Sequence, residues 1–194
     1  MASTAEKMGG PFTPAAKRAL FEASQQARLE DAPEVRDEHL LLGLLEVRDS
    51  AATRLLAEFG IPDAREHLRA AFQAVDRRGG LSDADLEALA GLGIEVETVV
   101  ERIEESLGAN AMSATKTRRQ RRWPAPSRAM TRFSRDLFRT IQAAVLEARD
   151  TRTKLVGAEH LLLALLHRPG IVSEVLAGYE LTYPAARGYL AAHA

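Results

Sequence analysis

Apolar residues follow two spacings along this chain, a sparse one that recurs every three or four positions and a dense one in which they run together. Leu20, Ala23 and Ala27 show the sparse spacing and predict an amphipathic helix over 14–28 with one buried stripe. Thr13 is placed to cap that helix, and Pro14 to open it where a missing N–H costs nothing. Asp31-Ala32-Pro33 ends it. Leu41, Leu42, Leu44 and Leu45 show the dense spacing. They predict a short helix, capped by Asp37 and running to about Glu46, that is apolar on more than one side and so must be enclosed by neighbours. A third helix near 50–59 stops at Gly60, a residue suited to a left-handed helix end, and Ile61-Pro62 opens a fourth to about 75.

The same order of signals returns at an offset of 121 residues. Glu38-His39-Leu40-Leu41-Leu42-Gly43-Leu44-Leu45 reappears as Glu159-His160-Leu161-Leu162-Leu163-Ala164-Leu165-Leu166. Outward from there, Val35 meets Val156, Arg28 meets Arg149, Ala27 meets Ala148, Ala23 meets Ala144, Arg18 meets Arg139 and Phe12 meets Phe133. Thirteen of the 34 gapless positions between 12–45 and 133–166 are identical, where average composition would give roughly three. In the second copy Ser134 takes the cap position, with Phe133 placed to staple against Phe138. Pro169-Gly170 then separates the dense helix from the next, and Pro184 starts a last helix carrying Leu190. Each copy is a helical unit whose apolar face needs a partner, which predicts an all-α fold of two four-helix repeats related by pseudo-symmetry.

Between the copies, Leu86 and Ala88-Leu89-Ala90 lead to Leu92-Gly93-Ile94, an echo of Leu56-Ala57 to Gly60-Ile61. This is a third use of the helix, glycine, helix half-unit. A following helix over 95–107 would bury Val96, Val99, Val100, Ile103 and Leu107 and expose Glu97, Glu101, Glu104 and Glu105. Beyond it the period vanishes and basic residues take over with Pro124 and Pro126. The chain therefore divides into a loose arm at 1–11, a first repeat at 12–78, a helical insert at 79–108, a flexible basic linker at 109–128 and a second repeat at 129–194.

Composition narrows the function without naming it. The 194 residues are 46% hydrophobic and 27% charged, with a net charge of −1, as in ordinary water-soluble proteins. No apolar run is long enough for a membrane span, and the first residues lack a basic-then-apolar leader, so a cytoplasmic location is expected. The absence of cysteine fits a reducing compartment and removes thiolate chemistry and Cys-ligated metal. Each copy of the Glu-His-Leu-Leu-Leu motif offers one histidine, His39 or His160, rather than a His-Glu-x-x-His pair, so a structural imidazole bonded to a backbone carbonyl is expected in place of a metal ligand. There is no catalytic constellation, no metal site and no phosphate-binding glycine loop of the Gly-x-x-x-x-Gly-Lys-Ser/Thr type, so neither enzymatic activity nor a cofactor is expected.

A Thr or Ser helix start, an alanine-rich amphipathic helix and then Glu-His-Leu-Leu-Leu-Gly-Leu-Leu together resemble the Clp N-terminal repeat of AAA+ unfoldases such as ClpC and ClpA. The resemblance covers about 12–75 and 129–194, and the insert with its arginine-rich linker is similar to stand-alone actinobacterial members of that family. It implies a domain that binds adaptors and substrates and passes them to an ATPase ring. It also implies a role for Glu38 and Glu159, because the matching glutamate of ClpC-type domains contacts the guanidinium of phosphoarginine while backbone amides take the phosphate. The family's usual Gly-Thr-Glu-His is here Arg36-Asp37-Glu38-His39 and Gly157-Ala158-Glu159-His160. Asp37 would repel a phosphate, which makes Gly157, Ala158 and Glu159 the better anion site of the two. A plain helix-start role for both glutamates is the competing reading.

Two other surfaces are candidates. The groove where the copies meet, near Phe12, Lys17, Phe133 and Phe138, would suit an apolar small molecule. Arg118, Arg119, Arg121, Arg122 and Trp123 lie in a stretch with no acidic residue from Ser106 to Arg135, which would suit nucleic acid or an acidic partner surface. The segment is short, contains proline and lacks a recognition fold, which favours a solvated linker. Protein or peptide partners, among them a Clp unfoldase, its adaptors or its substrates, are therefore expected ahead of nucleic acid. Full-length protein and a variant lacking 116–128 should accordingly behave alike in a salt-dependent mobility-shift assay, and a low-salt shift that disappears with the deletion would reverse that ranking.

Overall fold

Short helices that are apolar all round have to be covered by something, and the covering is what this fold accomplishes. The computed structural model describes residues 12–61, 65–77, 83–96, 98, 101–102 and 132–193. The expected arm at 1–11 and the linker at 109–128, with Arg118, Arg119, Arg121, Arg122 and Trp123, lie outside the described residues. The chain separates into two compact units, one made of Met1–Arg65 with Arg128–Ala194, the other of Glu66–Ser127.

In the first unit the order is α1 (Pro14–Leu29), β1 (Glu34–Val35), α2 (Asp37–Leu45), α3 (Ala51–Glu58), and then, from the second copy, β2 (Arg132–Phe133), α6 (Arg135–Asp150), α7 (Ala158–His167), α8 (Ile171–Ala177) and α9 (Tyr183–Ala192). In the second unit, α4 (Arg65–Arg77, its first residue still in the first unit) and α5 (Asp83–Gly91) precede a tight turn. The helix expected as the fourth of the first repeat is thus α4, which from Glu66 onward belongs to the unit that contains the insert. Apart from the two-residue strands, the regular elements are helical, and the fold is all-α.

The copies share several matched bonds at their helix ends. Thr13 Oγ1 accepts the Ala16 N–H at 3.2 Å and Ser134 Oγ accepts the Leu137 N–H at 3.1 Å, so both long helices start on a side-chain cap. Both end in the same way. Asp31 (φ 49°) and Arg152 (φ 56°) turn left-handed, and the Ala32 and Thr153 amides reach back to the Ala27 and Ala148 carbonyls at 2.8 and 2.9 Å. No glycine announces these ends, because the six-to-one bond and the docked helices hold two ordinary residues in the left-handed region. The same closure recurs after α3, α5 and α8, where Ile61, Ile94 and Leu181 bond to Leu56, Leu89 and Leu176 at 3.0, 2.9 and 3.1 Å. Ile61 and Leu181 are fully buried, whereas Ile94 is 44% exposed.

What joins the copies is an exchange of backbone. β1 pairs in parallel with β2, Val35 opposite Phe133, and Phe12 bridges Val156 in the same sense. The Ser134 amide donates to the Val35 carbonyl and the Thr13 amide to the Val156 carbonyl, both at 2.9 Å. Each copy therefore satisfies its partner's chain just ahead of that partner's dense helix. Around this crossing, α2 and α7 pack on each other, α1 and α6 pack on their own and on the opposite central helix, α3 and α9 lie on one another and on α7, and α8 lies on α2 and α7. Leu40, Leu41, Leu42, Leu44, Leu161 and Leu162 are fully buried as a result. Each such leucine contributes about 1.5–3 kcal/mol of transfer free energy, which offsets the weak intrinsic stability of nine- and ten-residue helices.

Two asymmetries matter. At Gly43 an added Cβ would meet the Ala19 carbonyl oxygen and, at 2.6 Å, the Ala23 nitrogen, all backbone atoms that cannot swing away. Position 164, its counterpart, is a buried alanine, so α1 and α2 approach more closely than α6 and α7. On the outer side of the second copy, the Tyr183 hydroxyl donates to both carboxylate oxygens of buried Glu147 at 3.0 and 3.1 Å, which ties α9 to α6. Its counterpart in the first copy, Gln26, carries no charge.

Gly43→Ala should therefore destabilise by about 1–3 kcal/mol and lower Tm by roughly 3–10 °C. Ala164→Gly should cost only about 1 kcal/mol, chiefly through helix propensity. Thermal denaturation of the two variants checks the difference, and equal losses would contradict the closer first pair.

Candidate functional site

The sequence places its strongest candidates at the starts of the two central helices, and both starts are built the same way around a histidine. The Arg36 and Gly157 amides donate to Nδ1 of His39 and His160, each at 2.9 Å. An Nδ1 that accepts a hydrogen bond carries no proton, so both rings are neutral Nε2–H tautomers. His39 Nε2 accordingly points to Glu30 Oε2 at 3.1 Å, and His160 Nε2 to Thr151 Oγ1 at 2.9 Å. Burial pushes the His160 imidazole below its usual pKa, while the Glu159 and Glu147 carboxylates pull the other way. The expected bond from histidine to a backbone carbonyl is thus corrected to one from a backbone amide to the histidine. The side chain does the work of a capping-box acid at the third helical position.

This arrangement also corrects the expected cap. Arg36, not Asp37, is the N-cap residue of α2, and Asp37 occupies the first helical position. Its side chain turns inward, where Oδ2 accepts from Thr140 Oγ1 at 3.1 Å across the boundary between the copies. His39 satisfies the amide of the cap residue itself, while the Asp37 carboxyl faces Thr140.

The two glutamates stand at matching positions in different surroundings. Glu38 Oε1 lies 2.7 Å from Arg36 Nε, and its side chain is 12% exposed. It already holds a guanidinium, supplied by its own chain. The Glu159 side chain is 30% exposed, and its carboxylate folds back over Gly157, in the space that a Cβ at position 157 would fill. Gly157 is therefore not an open notch, since the acid two residues along covers it. Glu159 Oε1 is also 3.3 Å from His160 Nδ1, but that nitrogen is already accepting the Gly157 amide, so the contact is not an ion pair. Ala158, between them, is fully buried. Chemically, the second start combines a hinged carboxylate with first-turn amides that have no intrahelical acceptor, a pairing that suits a ligand carrying both a cation and an anion.

The expected apolar groove is only partly assembled. Phe12 is 8% exposed and is held in its bridge to Val156, so it belongs to the core. Phe133 is half-buried in its pairing with Val35, Lys17 is half-buried one turn into α1, and Phe138 is 55% exposed on α6. Lys17 and Phe138 occupy equivalent positions in the two copies.

A polar cluster that sequence reasoning did not single out lies beside Asp37. Thr140 is fully buried, and Arg168 Nη1 donates to its hydroxyl at 3.2 Å and to the Asp136 carbonyl at 2.8 Å. The available signal was a mismatch between the copies, since Thr140 replaces Ala19 in the middle of a matched apolar stripe.

Among the described residues no group of three or more His, Cys, Asp or Glu side chains is arranged to hold a metal ion. No single helix among them is long and apolar enough to cross a membrane.

Comparison with known proteins adds the family. The model of the Clp repeat (R) N-terminal domain matches residues 11–179. No curated protein matches the sequence. Among solved structures, a chain from a structural investigation of a malarial protein secretion system is similar over 95% of both chains, with a TM-score of 0.55 and 16% identity. The N-terminal domain of the caseinolytic protease-associated chaperone ClpD from Arabidopsis thaliana is similar over 93% of this chain and 94% of its own, with a TM-score of 0.50 and 22% identity. At those identities the likeness speaks for the fold, and the family model speaks for descent. With most of its length matched, including both helix starts, this chain belongs to the Clp repeat N-terminal domain family.

Proposed function

We propose that this protein is a non-enzymatic receptor of the cytoplasm that binds substrates, adaptors or degradation-tagged proteins, as an accessory to, or a decoy for, a Clp AAA+ unfoldase. The family's domain is a protein-interaction module of Clp unfoldases, and the family match over residues 11–179 is the observation that carries the reading. The 194 residues contain no phosphate-binding loop of their own, so any ATP-driven step falls to another polypeptide or another segment.

Within this reading the two helix starts are unequal. Glu38 is paired with Arg36, so a guanidinium ligand at the first start must displace a bonded one. Asp37, turned inward onto Thr140, would add negative charge beside an anion there once it ionises. At the second start, Glu159 has only to swing off Gly157 to present its carboxylate to a cation and uncover the helix start for an anion. We therefore assign guanidinium-and-phosphate recognition, with phosphoarginine as its simplest ligand, to Gly157, Ala158 and Glu159 rather than to Glu38.

Calorimetric titration with phosphoarginine is expected to give measurable heat with wild type, a loss of about tenfold or more in affinity with Glu159→Ala, and little change with Glu38→Ala. Absence of heat with wild type removes phosphoarginine from the reading but leaves the protein-binding role standing. That broader role is checked by affinity capture from native lysate with the full chain and with the 116–128 deletion. Recovery of an unfoldase, adaptors or substrates by both is the expected result, and recovery of nucleic acid alone would overturn it.

A further inference from the structure

The two crossings between the copies are equivalent in backbone and opposite in chemistry. The start of α7 carries Ala158 and α1, on which α7 packs, carries Ala19, both fully buried. Where the start of α2 meets α6, the same positions hold Asp37 and Thr140. Around them, Arg168 stands where the first copy has Val47, and Asp136 where it has Ala15. The apolar crossing shows that this fold does not need a polar one.

The polar crossing is incompletely satisfied. The single proton of the Thr140 hydroxyl goes to Asp37 Oδ2 at 3.1 Å, while its oxygen accepts from Arg168. Among the described residues, buried Asp37 Oδ1 has no hydrogen-bond partner. Arg168 also donates to the Asp136 carbonyl at 2.8 Å and has Nη2 3.8 Å from Asp136 Oδ1, so its charge is shared with a second carboxylate. From its own segment, Arg36 is engaged with Glu38. A neutral carboxyl tolerates one unmatched oxygen far better than a carboxylate does.

We infer that Asp37, Thr140 and Arg168 form a proton-operated latch between the two copies, closed while Asp37 is protonated and loosened once it ionises. Burial, the largest influence, raises the Asp37 pKa from its ordinary value, and Asp136 adds to this. The Thr140 hydrogen bond and Arg168 oppose it. A carboxyl whose pKa is raised in the closed form contributes stability that is complete below its ordinary pKa and lost as pH climbs through the closed-form value. Between those two values the opening equilibrium of the crossing grows by up to about tenfold per pH unit. Opening loosens the first turn of α2, Glu38 included, so the latch sets how far the first helix start is exposed.

The test is amide hydrogen exchange on the full chain from pH 4 to 7, corrected for intrinsic exchange, read at residues 37–41 and 137–141. Protection in wild type is expected to fall with rising pH. Asp37→Ala, which copies the Ala158 crossing, should flatten the profile. Thr140→Val keeps Asp37 but removes the bond that favours its ionised form, and should move the midpoint to higher pH, a readout that does not depend on Asp37→Ala folding well. A pH-independent wild type, a profile unchanged by Asp37→Ala, or a midpoint unmoved by Thr140→Val would each overturn the latch.

Discussion

Neither central helix has a polar face, and neither can be buried by its own copy alone. That constraint organises the rest of the molecule. Nine residues of α2 and ten of α7 are too few to be helical in water on propensity, so they exist only inside a shell that includes the opposite copy. The shell is closed by two parallel backbone exchanges, Val35 with Phe133 and Phe12 with Val156. These satisfy main-chain groups at the points where the chain enters the core, and they fix where each central helix begins. The candidate binding residues at the helix starts sit one to three positions beyond those exchanges. The positions of Glu38 and Glu159 are thus set by the same bonds that join the copies.

Much of this was legible in the sequence because it was written twice. The offset of 121 gave the register of the copies, and Thr13 and Ser134 marked both long helices correctly. The all-round leucines gave the depth of α2 and α7. Less legible were the features that depend on a contact far away in the chain. Asp37 reads locally as a cap, yet Arg36 takes the cap position and a histidine three residues beyond it accepts the cap residue's own amide. The Asp37 carboxyl bonds Thr140 instead, 103 residues away. The left-handed turns at Asp31 and Arg152 were invisible for a similar reason, because glycine is the usual signal and here docked neighbours impose the conformation.

The candidate site was legible as positions but not as states. Sequence alone identified Glu38 and Glu159 and noticed that the residues around them had diverged. It could not reveal that Arg36 pairs with Glu38, or that Glu159 lies over Gly157, since both are choices among side-chain rotamers. The glycine that looked like a vacancy is better understood as the seat of the neighbouring acid. Divergence between copies was the most informative signal wherever it fell inside a matched apolar pattern. Thr140 against Ala19 marks a hydrogen bond that an alanine cannot make, and Glu147 against Gln26 marks a charge present in one copy only.

Gly43 has a consequence for how such a chain can change over time. Two similar halves in one gene tend to be homogenised by recombination, each overwriting the other. Here the first half has settled on an interhelical distance that only a residue without a side chain permits, whereas the second half keeps a methyl group at that place. Copying the second half's central helix over the first would bring the methyl with it, against backbone that cannot retreat. At this position the halves are not interchangeable parts.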